Sequence, residues 1–254
     1  MRDHFPGNLH PSLRTVDHRP WPLPERDWTW RQAWLDLVFL HYRVSADRIR
    51  AMLPPGVHLQ EFDGSAWVGL VPFRMSGVMR RPLPDLPPFS SFPELNLRTY
   101  VEVDGRAGVW FFSLDADCRP VVFGGRYVYN LPYFSAKIRQ TRDDKSFRFT
   151  SVRRTGGVRF SASYRPVGEV FFAERGTFEH WATERYCLYA CSPRTGLCRV
   201  EVHHSPWPIQ HAEVEVRECG VLSAAGIEPL DDMPVCHFSA GVHVVSYAQE
   251  AIGV

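Results

Sequence analysis

The sequence predicts a β-rich α+β fold. Three observations carry this reading: short alternating or apolar runs recur with turn residues between them, helix signals are few and brief, and no repeat or heptad emerges. With 254 residues, 44% of them hydrophobic and 13% aromatic, the chain can bury one substantial core, and one domain is expected.

Residues 1–28 are rich in Pro, Arg and His without apolar periodicity. They predict an irregular arm that wraps the domain or a partner subunit, with the single domain occupying 29–254. The run 30–44, dense in apolar residues such as Trp34, Leu37 and Phe39, reads as mostly strand. Ser45 suits the N-cap of a short helix carrying Ile49, Met52 and Leu53, which Pro54 and Pro55 stop. The runs 57–62 and 65–73 flank Asp63 and Gly64, a two-residue turn that favours a hairpin. A proline-rich loop over 81–93 has the length of loops that often cover a site.

From 94 to 103 the residues alternate. Leu95, Leu97, Thr99, Val101 and Val103 point one way; Glu94, Asn96, Arg98, Tyr100 and Glu102 point the other. In a sheet with one wet face this is inside and outside, whereas in a closed barrel the polar row would line an interior cavity. After a turn at Asp104 and Gly105 comes a strand over 108–114. Gly124, Gly125 and Pro132 then predict a bent, irregular approach across 115–133. Strands are expected at 134–141, 147–153 and 158–165. Thr177 caps an expected helix over 177–186, with Phe178, Trp181 and Ala182 at helical spacing. Strands at 187–190 and 197–204 surround a turn at 193–196, a short helical piece is expected at 222–225, and a last strand at 236–245.

Composition narrows the function classes. The 29 basic and 28 acidic residues are spread along the chain and leave a formal charge of +1, so no basic face argues for nucleic acid or an anionic membrane. No apolar run approaches the roughly 20 residues needed to span a bilayer, and no signal-peptide run is present, so the expected compartment is the cytoplasm. The six cysteines make no disulfide framework and read as small buried side chains. No Gly-x-Ser-x-Gly elbow, phosphate loop or dinucleotide fingerprint occurs, so no cofactor is expected. His203 and His204 fall on opposite strand faces, His237 and His243 share one, and Cys187, Cys191 and Cys198 lack knuckle spacing; no metal is expected.

Glu94 and Arg98 share a strand face about 13 Å apart and could hold opposite ends of a polar ligand. Arg126 could complete a carboxylate clamp, since its planar fork suits bidentate recognition. Asn96 and Tyr100 on the same row are further candidates for binding. The alternative is a structural ion-pair network. Lys137 and Lys145 are the only lysines. Trp207, between Pro206 and Pro208, suits either a cavity wall or core packing.

The ordered set Phe62, Asp63, Gly64, Ala66, Trp67, Val68, Gly69, Pro72 and Phe73, followed by Glu94, Asn96, Arg98, Thr99, Tyr100 and Val101, resembles the DUF2071 family. Later segments at 111–116, 131–133, 184–189 and 206–208 agree, so the resemblance spans about residues 28–247. That family is similar in turn to acetoacetate decarboxylase, which implies a cone-shaped antiparallel β-barrel around a small-molecule cavity, a few peripheral helices, and a possible homo-oligomer. The resemblance places Glu94 where the decarboxylase has a cavity glutamate. Gly125, Arg126 and Pro132 match a second motif, and the two lysines that follow fall on Tyr133 and Phe134.

Neither residue can form a Schiff base, so acetoacetate decarboxylation by that route is disfavoured. Lys137, on the same strand face as Tyr133 and roughly 13 Å away, is a remote substitute for the nucleophile. The expectation is a small-molecule protein, an acid/base enzyme acting on a polar organic acid or carbonyl compound. Glu94 and Tyr133 would be its catalytic pair, and Arg98, Arg126, Tyr100 and Asn96 its substrate contacts. A non-catalytic binding protein and an assembly component are the alternatives.

Overall fold

A computed structural model describes residues 10–87 and 89–253. In chain order the elements after a short 3-10 turn at Pro11–Arg14 are β1 (Trp30–Val44), α1 (Ala46–Met52), β2 (His58–Leu59), β3 (Ala66–Arg80), β4 (Phe92–Val103) and β5 (Arg106–Ala116). Next come α2 (Arg119–Tyr127), β6 (Tyr133–Asp143), β7 (Ser146–Arg153), β8 (Arg159–Phe172) and α3 (Phe178–Thr183). The chain ends with β9 (Cys187–Ser192), β10 (Gly196–His204), β11 (Pro208–Cys219), α4 (Gly220–Ala224), β12 (Val235–Ser246) and β13 (Glu250–Ala251).

Among the described residues all 13 strands join one sheet. Its pairings close on themselves twice. One ring runs β5-β6-β7-β8-β11-β12-β1-β3-β4 and back to β5; the other runs β5-β9-β10-β12-β1-β3-β4 and back to β5. Five strands, β12, β1, β3, β4 and β5, therefore serve both rings, and each has one face in either lumen. Pairing is antiparallel except where β5 meets β6 and β9, both parallel.

This shared wall explains the alternation read from the sequence. On β1, Val38 and Leu40 join the core of the first ring while Leu37 and Phe39 join that of the second. On β4, Leu95 and Leu97 pack into the first core, and Glu94 and Asn96, also buried, face the second lumen. Neither row is a solvent face. The first ring is filled by Phe147, Phe149, Phe160 and Tyr164 from β7 and β8; the second encloses space.

Several local expectations change. The Asp63-Gly64 turn forms, with both residues at positive φ, but only Phe62 and Ser65 bridge across it. Beyond them β2 pairs with β4, not β3, so no extended hairpin exists. The stretch expected to be irregular contains α2, with Pro120 in its first turn, where the missing N–H costs nothing. The helix expected at 177–186 is shorter, ending at Thr183. β11 was not expected, although Ala212, Val214 and Val216 alternate with Glu213, Glu215 and Arg217 in the manner of a half-buried strand.

Residues 10–28 of the expected arm lie against β10 and β12. His203 Nε2 meets the Ser12 carbonyl at 2.8 Å, and buried Arg19 donates to Glu201 at 2.9 Å and to the Val202 carbonyl at 2.6 Å. No helix among the described residues is long and apolar enough to cross a membrane.

Candidate active site

The second ring holds a pocket of about 420 Å³, within the range of small-molecule sites. Its walls are mostly apolar, from Phe39, Phe73, Phe111, Leu114, Val202 and Trp207. Its mouth lies under the proline-rich loop, where Leu83, Leu86 and Phe89 line it yet stay exposed. The other end is closed by α3, whose Phe178 and Trp181 pack against Trp67 and Tyr100. β4 runs from the mouth to this floor, presenting Glu94 first, then Asn96, then Arg98.

Glu94 is 2% exposed and accepts a hydrogen bond from the Tyr133 hydroxyl at 3.0 Å. Burial pushes its pKa up to about 8; the Tyr133 hydrogen bond opposes this and the charge of Asp115 adds to it. Burial and the adjacent Glu94 hold the Tyr133 phenol well above its ordinary value. At neutral pH the pair is therefore mainly uncharged: a carboxylic acid beside a phenol.

Tyr133 reaches this place because the parallel β5–β6 pairing sets it beside Leu114, with the Leu114 N–H bonded to the Pro132 carbonyl at 3.0 Å. α2 lies directly on its ring. A Cβ at Gly125 would stand 2.3 Å from the ring, so only glycine permits this approach. Behind the site, Asp115 accepts from Arg153 at 2.9 and 3.0 Å, a pair buried on both sides. Burial raises Asp115 to about 6 against the pull of Arg153.

The remaining expected residues divide. Asn96 and Arg98 line the pocket. Arg98 donates to the Ala182 carbonyl at 3.4 Å, and its guanidinium carbon stands 5.6 Å from the Phe39 ring. Tyr100 is fully buried beneath the floor rather than in the lining, with Arg98 and Arg185 at 5.7 and 5.1 Å from its ring.

Arg126 is exposed and outside the pocket lining; its Nε donates to the Tyr133 carbonyl, so it braces the backbone instead of completing a clamp. Lys137 is exposed as well. Only the start of β6 borders the second ring, and by Lys137 the same strand face has passed out to solvent while Ala136 and Ile138 enter the first core. No amine from either lysine reaches the pocket.

Among the lining residues that lay outside the sequence candidates for the site are Arg185, His204 and Trp34. Arg185 sits in the short link between α3 and β9, where nothing in the spacing marks it; only ring closure brings it to Arg98. Burial lowers its pKa to about 9, with the Arg98 charge contributing, so it remains charged at neutral pH. His204, expected only as one of two adjacent histidines, is buried between the carbonyls of Ser205 and Arg185. Trp207 proves to be a wall residue, stacked on Trp34 at 6.0 Å. Among the described residues no group of three or more His, Cys, Asp and Glu is placed to hold a metal ion.

The model of DUF2071, an uncharacterized conserved protein, matches residues 31–243. The chain belongs to the DUF2071 family. A curated relative, the uncharacterized protein YqjF of Bacillus subtilis (strain 168), is 38% identical over 218 residues, covering 85% of this chain and 90% of YqjF. Acetoacetate decarboxylase from Legionella pneumophila superposes with a TM-score of 0.63 at 14% identity, over 93% of each chain. The enduracididine biosynthesis enzyme MppR with HEPES buffer bound gives 0.64 at 16% identity, over 93% of this chain and 91% of that one. The DUF2071 chain thus has the acetoacetate decarboxylase-like fold, and at these identities the likeness extends to the fold alone.

Proposed function

We propose that this DUF2071 protein is a cofactor-independent enzyme that moves a proton at a carbon next to a carbonyl in a small organic acid. The carrying observation is the Glu94–Tyr133 pair: a buried carboxyl with a pKa near 8, bonded to a phenol and facing a pocket of substrate size. A group serves best as acid and base when its pKa lies near the working pH, and burial supplies that match here.

The chemistry follows from the two groups. In its ionised form Glu94 takes the proton from carbon; the C–H bond breaks, a carboxyl O–H forms, and the electron pair moves onto the carbonyl oxygen. Once Glu94 carries the proton it no longer needs the phenol as donor, and the Tyr133 hydroxyl, with its pKa held high, keeps its own proton and turns its single hydrogen bond from Glu94 to that oxygen. Returning the proton from Glu94 to carbon completes an isomerisation or exchange with no imine. Decarboxylation through a Schiff base finds no support, because neither lysine lies in the lining.

The test is hydrogen–deuterium exchange in D₂O, followed by proton NMR on a panel of keto acids that includes pyruvate and 5-oxohexanoate. Pyruvate is included because MppR has been solved with it. Enzyme-dependent exchange should fall about 10²- to 10⁴-fold in Glu94→Gln, the usual span for loss of a general base. No exchange above background with any panel member, by folded wild-type protein, would leave the rival reading of a plain binding protein.

A further inference from the structure

The floor of the pocket brings two arginines together with no acid in direct contact; Glu102 acts on Arg185 only from beyond Gln60, whose amide bonds to both. Arg98 comes from β4 and Arg185 from the link between α3 and β9. Neither enters an ion pair among the described residues; their hydrogen bonds go to the Ala182 and Trp181 carbonyls at the end of α3 and to the Gln60 amide oxygen. Each charge acts on the other, and the guanidinium carbons flank the Tyr100 ring at 5.7 and 5.1 Å. Donors remain unused: Arg98 Nε, Arg185 Nη2 and the Tyr100 hydroxyl are buried with no partner.

Charged donors buried without a counter-charge are costly, and proteins nearly always give them one. Among the described residues the other two buried arginines follow that rule: Arg19 meets Glu201, and Arg153 meets Asp115. The exception lies at the closed end of an apolar pocket. Glu94 cannot supply the charge, because it stands near the mouth, four residues or about 13 Å back along β4.

Resting on the proton-transfer reading for its far end only, we infer that Arg98 and Arg185 form the anion subsite of this pocket, and that its ligand is a carboxylate with an apolar body. The carboxylate enters first and rests against the two guanidiniums, whose planar N–H edges match it in shape as well as charge. The apolar body lies along Phe39, Phe73 and Trp207. Along β4 the carboxylate then lies toward the floor and the atom that meets Glu94 toward the mouth. The substrate class is therefore a monocarboxylate whose reactive carbonyl is set apart from the acid group by an apolar stretch.

Hexanoate and its uncharged isostere hexanamide are the probes, with binding read by quenching of tryptophan fluorescence and by the shift in thermal midpoint at pH 7. Hexanoate should bind the wild type at least tenfold more tightly than hexanamide and raise the midpoint where hexanamide does not. Arg185→Met and Arg98→Met should each weaken hexanoate at least tenfold and leave hexanamide unchanged. The midpoint shift of the wild type tests the charge preference even where a variant fails to fold. Equal binding of the two probes, or hexanoate binding indifferent to both arginine variants, would overturn the subsite. Glu94→Gln should retain hexanoate binding, so the subsite stands or falls apart from the catalytic reading: charge-selective binding without deuterium exchange overturns only the latter.

Discussion

Glu94 gives stability a pH dependence whose sign and size follow from its burial. An ordinary glutamate titrates at 4.5 and this one at about 8, so between those values the unfolded chain has released the proton that the folded chain still holds. Raising the pH therefore favours unfolding. The stabilisation is complete below pH 4.5 and is lost as pH climbs through 8; at about 1.4 kcal/mol per pH unit it amounts to about 5 kcal/mol in full. Buried His41, His203, His204 and His237 are pulled the other way by desolvation, but their effect is spent once pH exceeds their ordinary value of 6.5. Asp115, at about 6, has largely finished by then too. Between pH 6.5 and 8.5 the Glu94 contribution alone should remove about 2 kcal/mol. Glu94→Gln keeps the shape and can still accept from Tyr133, yet it does not titrate. Urea unfolding of both proteins across this window should show wild-type stability falling relative to the variant by that amount, with other titrations cancelling in the difference. Parallel curves would refute a carboxyl held neutral by burial.

Other perturbations probe what surrounds the pair. Gly125→Ala places a methyl 2.3 Å from the Tyr133 ring; overpacking should cost about 1–3 kcal/mol in urea unfolding, with deuterium exchange lost as the phenol shifts. Arg19→Ala leaves buried Glu201 with only Arg106 and Trp21 as partners, and should cost about 3–5 kcal/mol while exposing residues 10–28 to limited proteolysis. Lys137→Ala should alter stability by less than about 0.5 kcal/mol. Intact mass after borohydride treatment with the keto-acid panel should show no adduct on either the wild type or that variant.

Local chemistry in the sequence reached the strands of the shared wall and the β4 row, because period-two alternation survives wherever each face meets a distinct environment. It left open what the two faces meet. In the run from Glu94 to Arg98, the alternation suits either a wet side or a barrel interior, and only closure of a second ring turns the polar side inward. β11 carried the same signal in Ala212, Val214 and Val216, and residues 208–219 went unassigned beside the more conspicuous Trp207. α2 was obscured by Gly124 and Gly125, which weaken a helix on propensity; the backbone tolerates them because a side chain at Gly125 would strike Tyr133. Arg185 lies in the segment 184–189 that shares in the family resemblance, but no spacing marks it as a pocket residue. Its partner in space is 87 residues away, and that contact is a property of ring closure.

A phenol rather than an amine at Tyr133 has consequences for the whole charge balance of the lumen. An ammonium beside Glu94 would form an ion pair and hold the carboxyl ionised, as a neighbouring opposite charge does. With a phenol there, desolvation prevails and the carboxyl stays protonated near neutral pH. Arg98 and Arg185 at the floor lie away from the titrating group, so the proposed anion subsite and the proposed proton transfer fall to separate ends of β4. A carboxylate seated on the floor adds negative charge within the same low-dielectric lumen and, if it acts on Glu94 at all, raises that pKa further. It thereby favours the protonated carboxyl while leaving the local Tyr133 contact unchanged. In this arrangement the fold contributes a rigid ruler between two sites, and the strand that carries both is held on each side by a packed or enclosed lumen.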